Sequence, residues 1–192
     1  MGKNKKSKKT RLKIFNACSE ILRKEGLSNL TLQAVADKAG ISKGGLLYHF
    51  ETKQDLIEAI FEHHNSIFEN RLEELVAAEG ESPGAFLRAY TKASAEQMAD
   101  PESANLYASL FAAEEKYSGA HALMREKYTS WQEQIDSCGL DPDWAMLLRF
   151  ATDGLWFIEM HRYAPPGPDQ RKKIVQMIVE MATWTENPLE RS

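Results

Sequence analysis

A chain of 192 residues with 43% apolar side chains can bury a core without staples, and its two cysteines, Cys18 and Cys138, lie far apart and lack any metal-ligand spacing. No apolar run reaches about 18 residues and none follows the basic N-terminus, which argues against a membrane span and a secretory signal and for a cytoplasmic protein with reduced thiols. The net charge of −4 is unevenly held: residues 1–55 carry 12 Lys/Arg against 5 Asp/Glu and the remainder 12 against 23, so an anionic partner is expected for the front end alone.

The composition favours helix throughout, with 22 Ala, 20 Glu and 19 Leu against 4 Val. Residues 1–9 form a basic arm, "KNKKSKK", disordered by composition. Leu12, Phe15, Cys18, Ile21 and Leu22 then recur at helical spacing, with Gly26 as a stop. Thr31 caps a short helix that Gly40 closes, and Ser42 caps a second running from Lys43 to about His49. Thr52 and Asp55 form a capping box opening a long amphipathic helix, 53–78, at about 1.5 Å per residue. "EGESPG" at 79–84 is a break. Further helices are expected near 85–99, 102–117, 120–137, 143–162 and 168–184, with Asp100-Pro101 and Asp141-Pro142 as starts and Gly119 and Gly139 as stops. No alternating strand pattern occurs, so the fold class is all-α, with about nine helices.

The two short helices joined across "AGIS" make a helix-turn-helix, with Val35, Ala36, Ile41, Leu46 and Leu47 locking the pair. The second would lie in the major groove. Glycine in a helix costs roughly 1 kcal/mol against alanine. Gly44 and Gly45 are therefore explained if a bare helix surface must approach DNA closely.

"LTLQAVADKAGISKGGLLYHFETKQDLIEAI" resembles the N-terminal domain of the TetR (tetracycline-repressor-like) family of bacterial transcription regulators, through residues 12–60. "ATDGLWFIEMHR" at 151–162 resembles the dimerisation helix of some members. The resemblance implies a DNA-binding domain at 10–53 and a ligand-binding and dimerisation domain at 54–192, joined by helix 53–78. It implies that Thr31 binds phosphate, that Ser42, Lys43, Gly44 and Gly45 meet the groove, and that Tyr48, His49 and Lys53 clamp the backbone. Many members carry the tyrosine one position earlier, where this chain has Leu47, and Thr or Ser at Gly45, so base readout narrows to Lys43 and Tyr48.

In the acidic remainder, Tyr90, Met98, Tyr107, Phe111, Met124, Tyr128, Trp131 and Trp156 are of the kinds that line an apolar pocket, and also the kinds that fill a core. By family resemblance the last two helices pair with their symmetry mates as a four-helix bundle, through Leu147, Phe150, Leu155, Ile158, Ile174, Met177, Ile178 and Met181. The expected protein is a homodimeric repressor released from a palindromic double-stranded operator by an apolar or aromatic small molecule, with no cofactor, metal or membrane partner. A sequence-neutral architectural DNA binder is the alternative. His63-His64, His121 and His161 are scattered and no phosphate loop or nucleophile elbow occurs, so an enzyme is not expected.

Overall fold

In a computed structural model, which describes residues 2–99 and 101–188 (side chains from 7 to 99 and from 102 to 188), helix follows helix along the chain. They are α1 (Gly2–Lys24), α2 (Leu32–Ala39), α3 (Lys43–Leu47), α4 (Lys53–Glu79), α5 (Ala85–Gln97), α6 (Pro101–Lys116), α7 (Ser118–Asp136), α8 (Pro142–His161) and α9 (Pro168–Met181), with a 3-10 turn at Leu27–Asn29. No strand occurs among the described residues.

The local signals explain most boundaries. Thr31 Oγ1 accepts the Ala34 N–H at 3.0 Å and Ser42 Oγ the Gly45 N–H at 3.0 Å. Thr52 and Asp55 complete a reciprocal box, with the Thr52 N–H donating to Asp55 Oδ2 at 2.9 Å and the Asp55 N–H to Thr52 Oγ1 at 3.1 Å. Asp141 caps α8 ahead of Pro142. The corresponding cap expected at Asp100 lies outside the described residues.

Two expectations are corrected. Residues 3–9 are not a separate disordered arm but continue α1 towards its N-terminus. Lysine is a good helix former, and no Gly or Pro between Lys3 and Leu12 interrupts a helix anchored further on. Gly119 is not a stop: α6 already ends at Lys116, and Gly119 sits in the first turn of α7, where a Cβ would meet the Glu58 carboxylate.

The helices pack as two units, Met1–Asn65 with Asn105–Met124, and Ser66–Ala104 with Arg125–Ser192. In the first, Ile14, Cys18, Ile21 and Leu22 of α1 meet Val35 and Ala36 of α2, Leu46 of α3, Leu56, Ile57 and Ile60 of α4, and Leu106 and Leu110 of α6. Each large side chain so buried contributes about 1.5–3 kcal/mol. In the second, Leu87, Ile135, Trp144, Leu148 and Ile178 form one cluster, and Phe68, Leu72, Tyr90 and Trp131 another. A buried arginine braces this unit. Arg88 donates to Glu79 Oε2 at 2.6 Å, Ser82 Oγ at 2.6 Å, the Pro83 carbonyl at 2.7 Å and the Ala182 carbonyl at 3.0 Å. Gly84 allows this close approach: a Cβ there would lie 1.8 Å from the Ala182 oxygen.

Among the described residues no helix is long and apolar enough to cross a membrane.

Candidate nucleic-acid interface

α2 and α3 meet across Gly40, whose left-handed backbone (φ 66°, ψ 39°) makes the tight turn. The Ile41 N–H then returns to the Ala36 carbonyl at 3.0 Å. From α3 only Leu46 reaches the core, with Phe50 buried just beyond the helix. Leu47 was expected to help lock the pair, but it is 37% exposed. Successive residues of a helix point about 100° apart, so on a helix of five residues Leu46 and Leu47 cannot both face inward. With Leu46 anchored, Lys43, Gly44, Leu47 and Tyr48 all stand exposed, Tyr48 at 81%.

The two glycines differ. A Cβ on Gly45 would lie 3.2 Å from Ser42 Oγ, so bulk there presses on the cap. A Cβ on Gly44 would meet nothing within 4 Å beyond its chain neighbours and its own helix backbone, and its φ is not in the left-handed region. Neither internal packing nor backbone conformation requires glycine at position 44.

The remaining front-end residues surround α3 in sequence. The hydroxyls of Thr31 and Ser42 accept backbone N–H groups as caps, and their O–H protons are left to donate outward. The His49 ring stands edge-on to Tyr48 with centroids 5.3 Å apart. Lys53 begins α4 and is half-buried; desolvation, with Lys116 nearby, holds its ammonium pKa below the ordinary value. Composition and spacing had not singled out Arg11. Its guanidinium lies 4.8 Å from the Phe50 ring centroid and 5.4 Å from that of Phe15, a cation–π bracket that ties α1 to the chain just beyond α3. The readable signal was its i,i+4 spacing from Phe15.

Behind this surface α1 and α4 share a histidine pair. The His63 ring stacks on Phe15 at 4.5 Å, while His64 Nε2 pairs with Ser19 Oγ at 2.8 Å. Burial, with smaller contributions from the neighbouring His63 and Arg23 charges, pushes the His64 pKa down to about 4.

The residues expected to line a ligand pocket fall into two sets. Tyr107, Phe111 and Met124 belong to the first unit, where Tyr107 and Met124 pack against its core. Tyr90, Met98, Tyr128, Trp131 and Trp156 belong to the second. There Tyr90, Tyr128 and Trp131 join Phe68 and Phe86 in an aromatic cluster, with Tyr90–Trp131 centroids at 5.7 Å and Tyr128–Trp131 at 5.1 Å. The cluster is polar at one corner: Tyr90 Oη donates to Asp153 Oδ1 at 2.6 Å, and Arg149 Nε lies 3.3 Å from Asp153 Oδ2. Burial raises the Asp153 pKa against the opposing effects of these two partners. Trp156 donates to Gln97 Oε1 at 2.8 Å and lines a cavity of about 10 Å³, room for one water, with Thr91, Ser94, Thr152 and Glu159.

The eight residues expected at a dimer interface also divide. Leu147, Phe150, Ile158 and Met177 are exposed, Phe150 at 60%, and Phe157 and Tyr163 extend the same apolar display. Leu155, Ile174 and Met181 are half-buried. Ile178 is 4% exposed and packs in the cluster with Leu87, Ile135 and Leu148, in the core of its own unit.

Comparison with known proteins finds two family models. One, described as bacterial regulatory proteins of the tetR family, matches residues 14–60, and one for the tetracyclin repressor-like C-terminal domain matches residues 84–183. The HTH-type transcriptional regulator SrpR of Pseudomonas putida is 33% identical over 54 residues, 28% of this chain and 25% of that protein. The matched segment thus spans only a quarter of that relative's length. Among solved structures, a transcriptional regulator from Rhodococcus sp. Rha1 superposes with a TM-score of 0.73 at 19% identity, covering 90% of this chain and 95% of that one. The multidrug binding protein EbrR, solved with ethidium, gives a TM-score of 0.65 at 21% identity, over 88% of this chain and 98% of that one. At these identities the structures speak for the fold.

Proposed function

The chain belongs to the tetR family of bacterial regulatory proteins, and on that footing we propose that it is a homodimeric, sequence-specific DNA-binding repressor, released from a palindromic operator by a small molecule. Residues 10–53 are the reading head and residues 54–192 the effector and dimerisation part, with the helix from Lys53 running from one into the other. The observation that carries the reading is Gly44. It occupies a helix with no internal need for glycine and sits beside an exposed Lys43 in the basic quarter of the chain. A bare helix surface suits close approach to DNA. Lys43 donates to a base edge in the groove that Ser42, Gly44 and Gly45 also meet, while Thr31, Tyr48, His49 and Lys53 hold phosphates and fix the register.

A two-fold operator needs two reading heads about 34 Å apart. The exposed apolar surface of α8 and α9 favours a second copy as partner. The effector is apolar or aromatic. Support comes from the aromatic cluster around Tyr90 and Trp131, and from ethidium in the structurally similar EbrR. Such a ligand releases DNA only by binding the DNA-incompetent arrangement better; a coupling of about 1–3 kcal/mol corresponds to roughly 5–150-fold in operator affinity.

The test is selection from random duplexes at physiological salt, followed by footprinting. A protected palindrome with half-sites about one helical turn or a multiple apart is expected. Binding to every duplex alike, abolished by salt, overturns the reading in favour of a sequence-neutral architectural protein.

A further inference from the structure

The four exposed positions on and just after α3 carry different chemistry. Lys43 is a hydrogen-bond donor, Gly44 has no side chain, and Tyr48 ends in a hydroxyl suited to phosphate. Leu47 has neither donor nor acceptor, yet it is turned outward. It stands four residues from Lys43, on the same side of the helix. Of the groups displayed on major-groove base edges, the thymine C5 methyl is the apolar one.

We propose that Leu47 reads thymine: in each half-site its side chain packs on the C5 methyl of one T, about two base-pair steps from the pair that Lys43 contacts. The inference rests on the reading of the chain as a sequence-specific DNA-binding regulator. Leucine is short, so it reaches a base edge only where the helix backbone comes close to the groove. Gly44 leaves that approach open, since the surface next to Lys43 and Leu47 bears no side chain and no protein atom occupies the space. Four residues rise about 6 Å along a helix, close to two base-pair steps of about 3.4 Å. The half-site therefore holds the base pair that Lys43 contacts and the read thymine about two steps apart where the helix follows the groove.

The experiment uses the full chain and the selected operator, replacing each thymine of both half-sites in turn by deoxyuridine, which removes the methyl and leaves base pairing intact. At one symmetric position wild-type affinity falls by roughly three- to fivefold per half-site, the burial of about one methyl. Leu47→Ala weakens binding to the thymine operator and loses the sensitivity at that position only, while Leu47→Met retains it. Circular dichroism on each variant checks the fold, which an exposed position leaves intact. Deoxyuridine without effect at every position, a half-site lacking thymine, or Leu47→Ala retaining the sensitivity each overturns the inference while the palindrome stands. Selection that returns no preferred sequence overturns the function reading as well.

Discussion

α3 and α8 both turn apolar side chains to solvent, but they display different surfaces. α3 has five residues and shows one lysine, one leucine and a bare stretch of backbone. α8 has 20 residues and shows Leu147, Phe150, Phe157 and Ile158, with Met177 added by α9. Dense large apolar side chains suit a partner that offers the same in return, as a second copy does in a two-fold interface. A sparse, cationic, stripped surface suits a polyanion with a grooved edge. The kind of partner can thus be argued from what each helix leaves uncovered.

The sharpest break to this comparison is Phe150→Glu. A phenylalanine buried in a two-fold interface is lost twice, about 2 kcal/mol each time, so the dimer weakens by roughly 1,000-fold. Sedimentation velocity at micromolar concentration is expected to show monomers with native helix content, and operator affinity falls with the dimer. An unchanged dimer places the interface elsewhere and returns the α8 surface to ordinary exposed apolar area.

The units are expected to respond differently to acid between pH 6.5 and pH 4.5. The unfolded chain binds a proton at His64 below about pH 6.5, and the native fold resists it down to about pH 4. Native stability is therefore lost as pH falls through that window, by about 3 kcal/mol at its lower end. His63, also held down by burial, acts in the same direction. Asp153 in the second unit has the opposite sign, because its raised pKa means that the native state takes up the proton first and gains stability as pH falls. Amide exchange corrected for intrinsic rates is expected to loosen α1 and the start of α4 between pH 6.5 and pH 4.5 while α5 and α8 hold. His64→Gln flattens the first response. Uniform loosening of both units refutes the contrast.

The helix-turn-helix was more legible in the sequence than the rest. Its boundaries come from local chemistry, since the caps at Thr31, Ser42 and Thr52 and the turn at Gly40 act within four residues of themselves. The second unit depends on contacts distant along the chain. Met177 and Ile178 are neighbours and both apolar, and packing against Leu87, Ile135 and Leu148 turns only Ile178 inward. The eight aromatic and methionine side chains divided between units for the same reason, because helical spacing states a face and not its partner. Lys3–Lys9 shows the converse: charge suggested disorder, but an uninterrupted helix former extends whatever helix follows it.

Lys43→Ala tests α3 alone. It is expected to cost about 1–3 kcal/mol at one base pair of each half-site and to leave preference elsewhere intact. Selection repeated with the variant should therefore relax a single symmetric position. A uniform loss across all sequences would make Lys43 a phosphate contact and move base reading to Tyr48 and Leu47.

The smallest expected effect discriminates best. Gly44→Ala adds a methyl where nothing beyond its chain neighbours and its own helix backbone lies within 4 Å, and it replaces the poorer helix former. Native stability should rise, by up to about 1 kcal/mol, which is a few degrees in melting temperature for a chain of this size. If the bare surface exists for DNA, the same methyl meets the duplex, and operator affinity falls as stability rises. Thermal unfolding and operator titration of the one variant report the two signs side by side. Opposite signs locate the need for glycine outside the chain. A gain in both would mean that α3 does not approach DNA at Gly44, and the contrast between its stripped surface and the crowded one of α8 would lose its functional meaning.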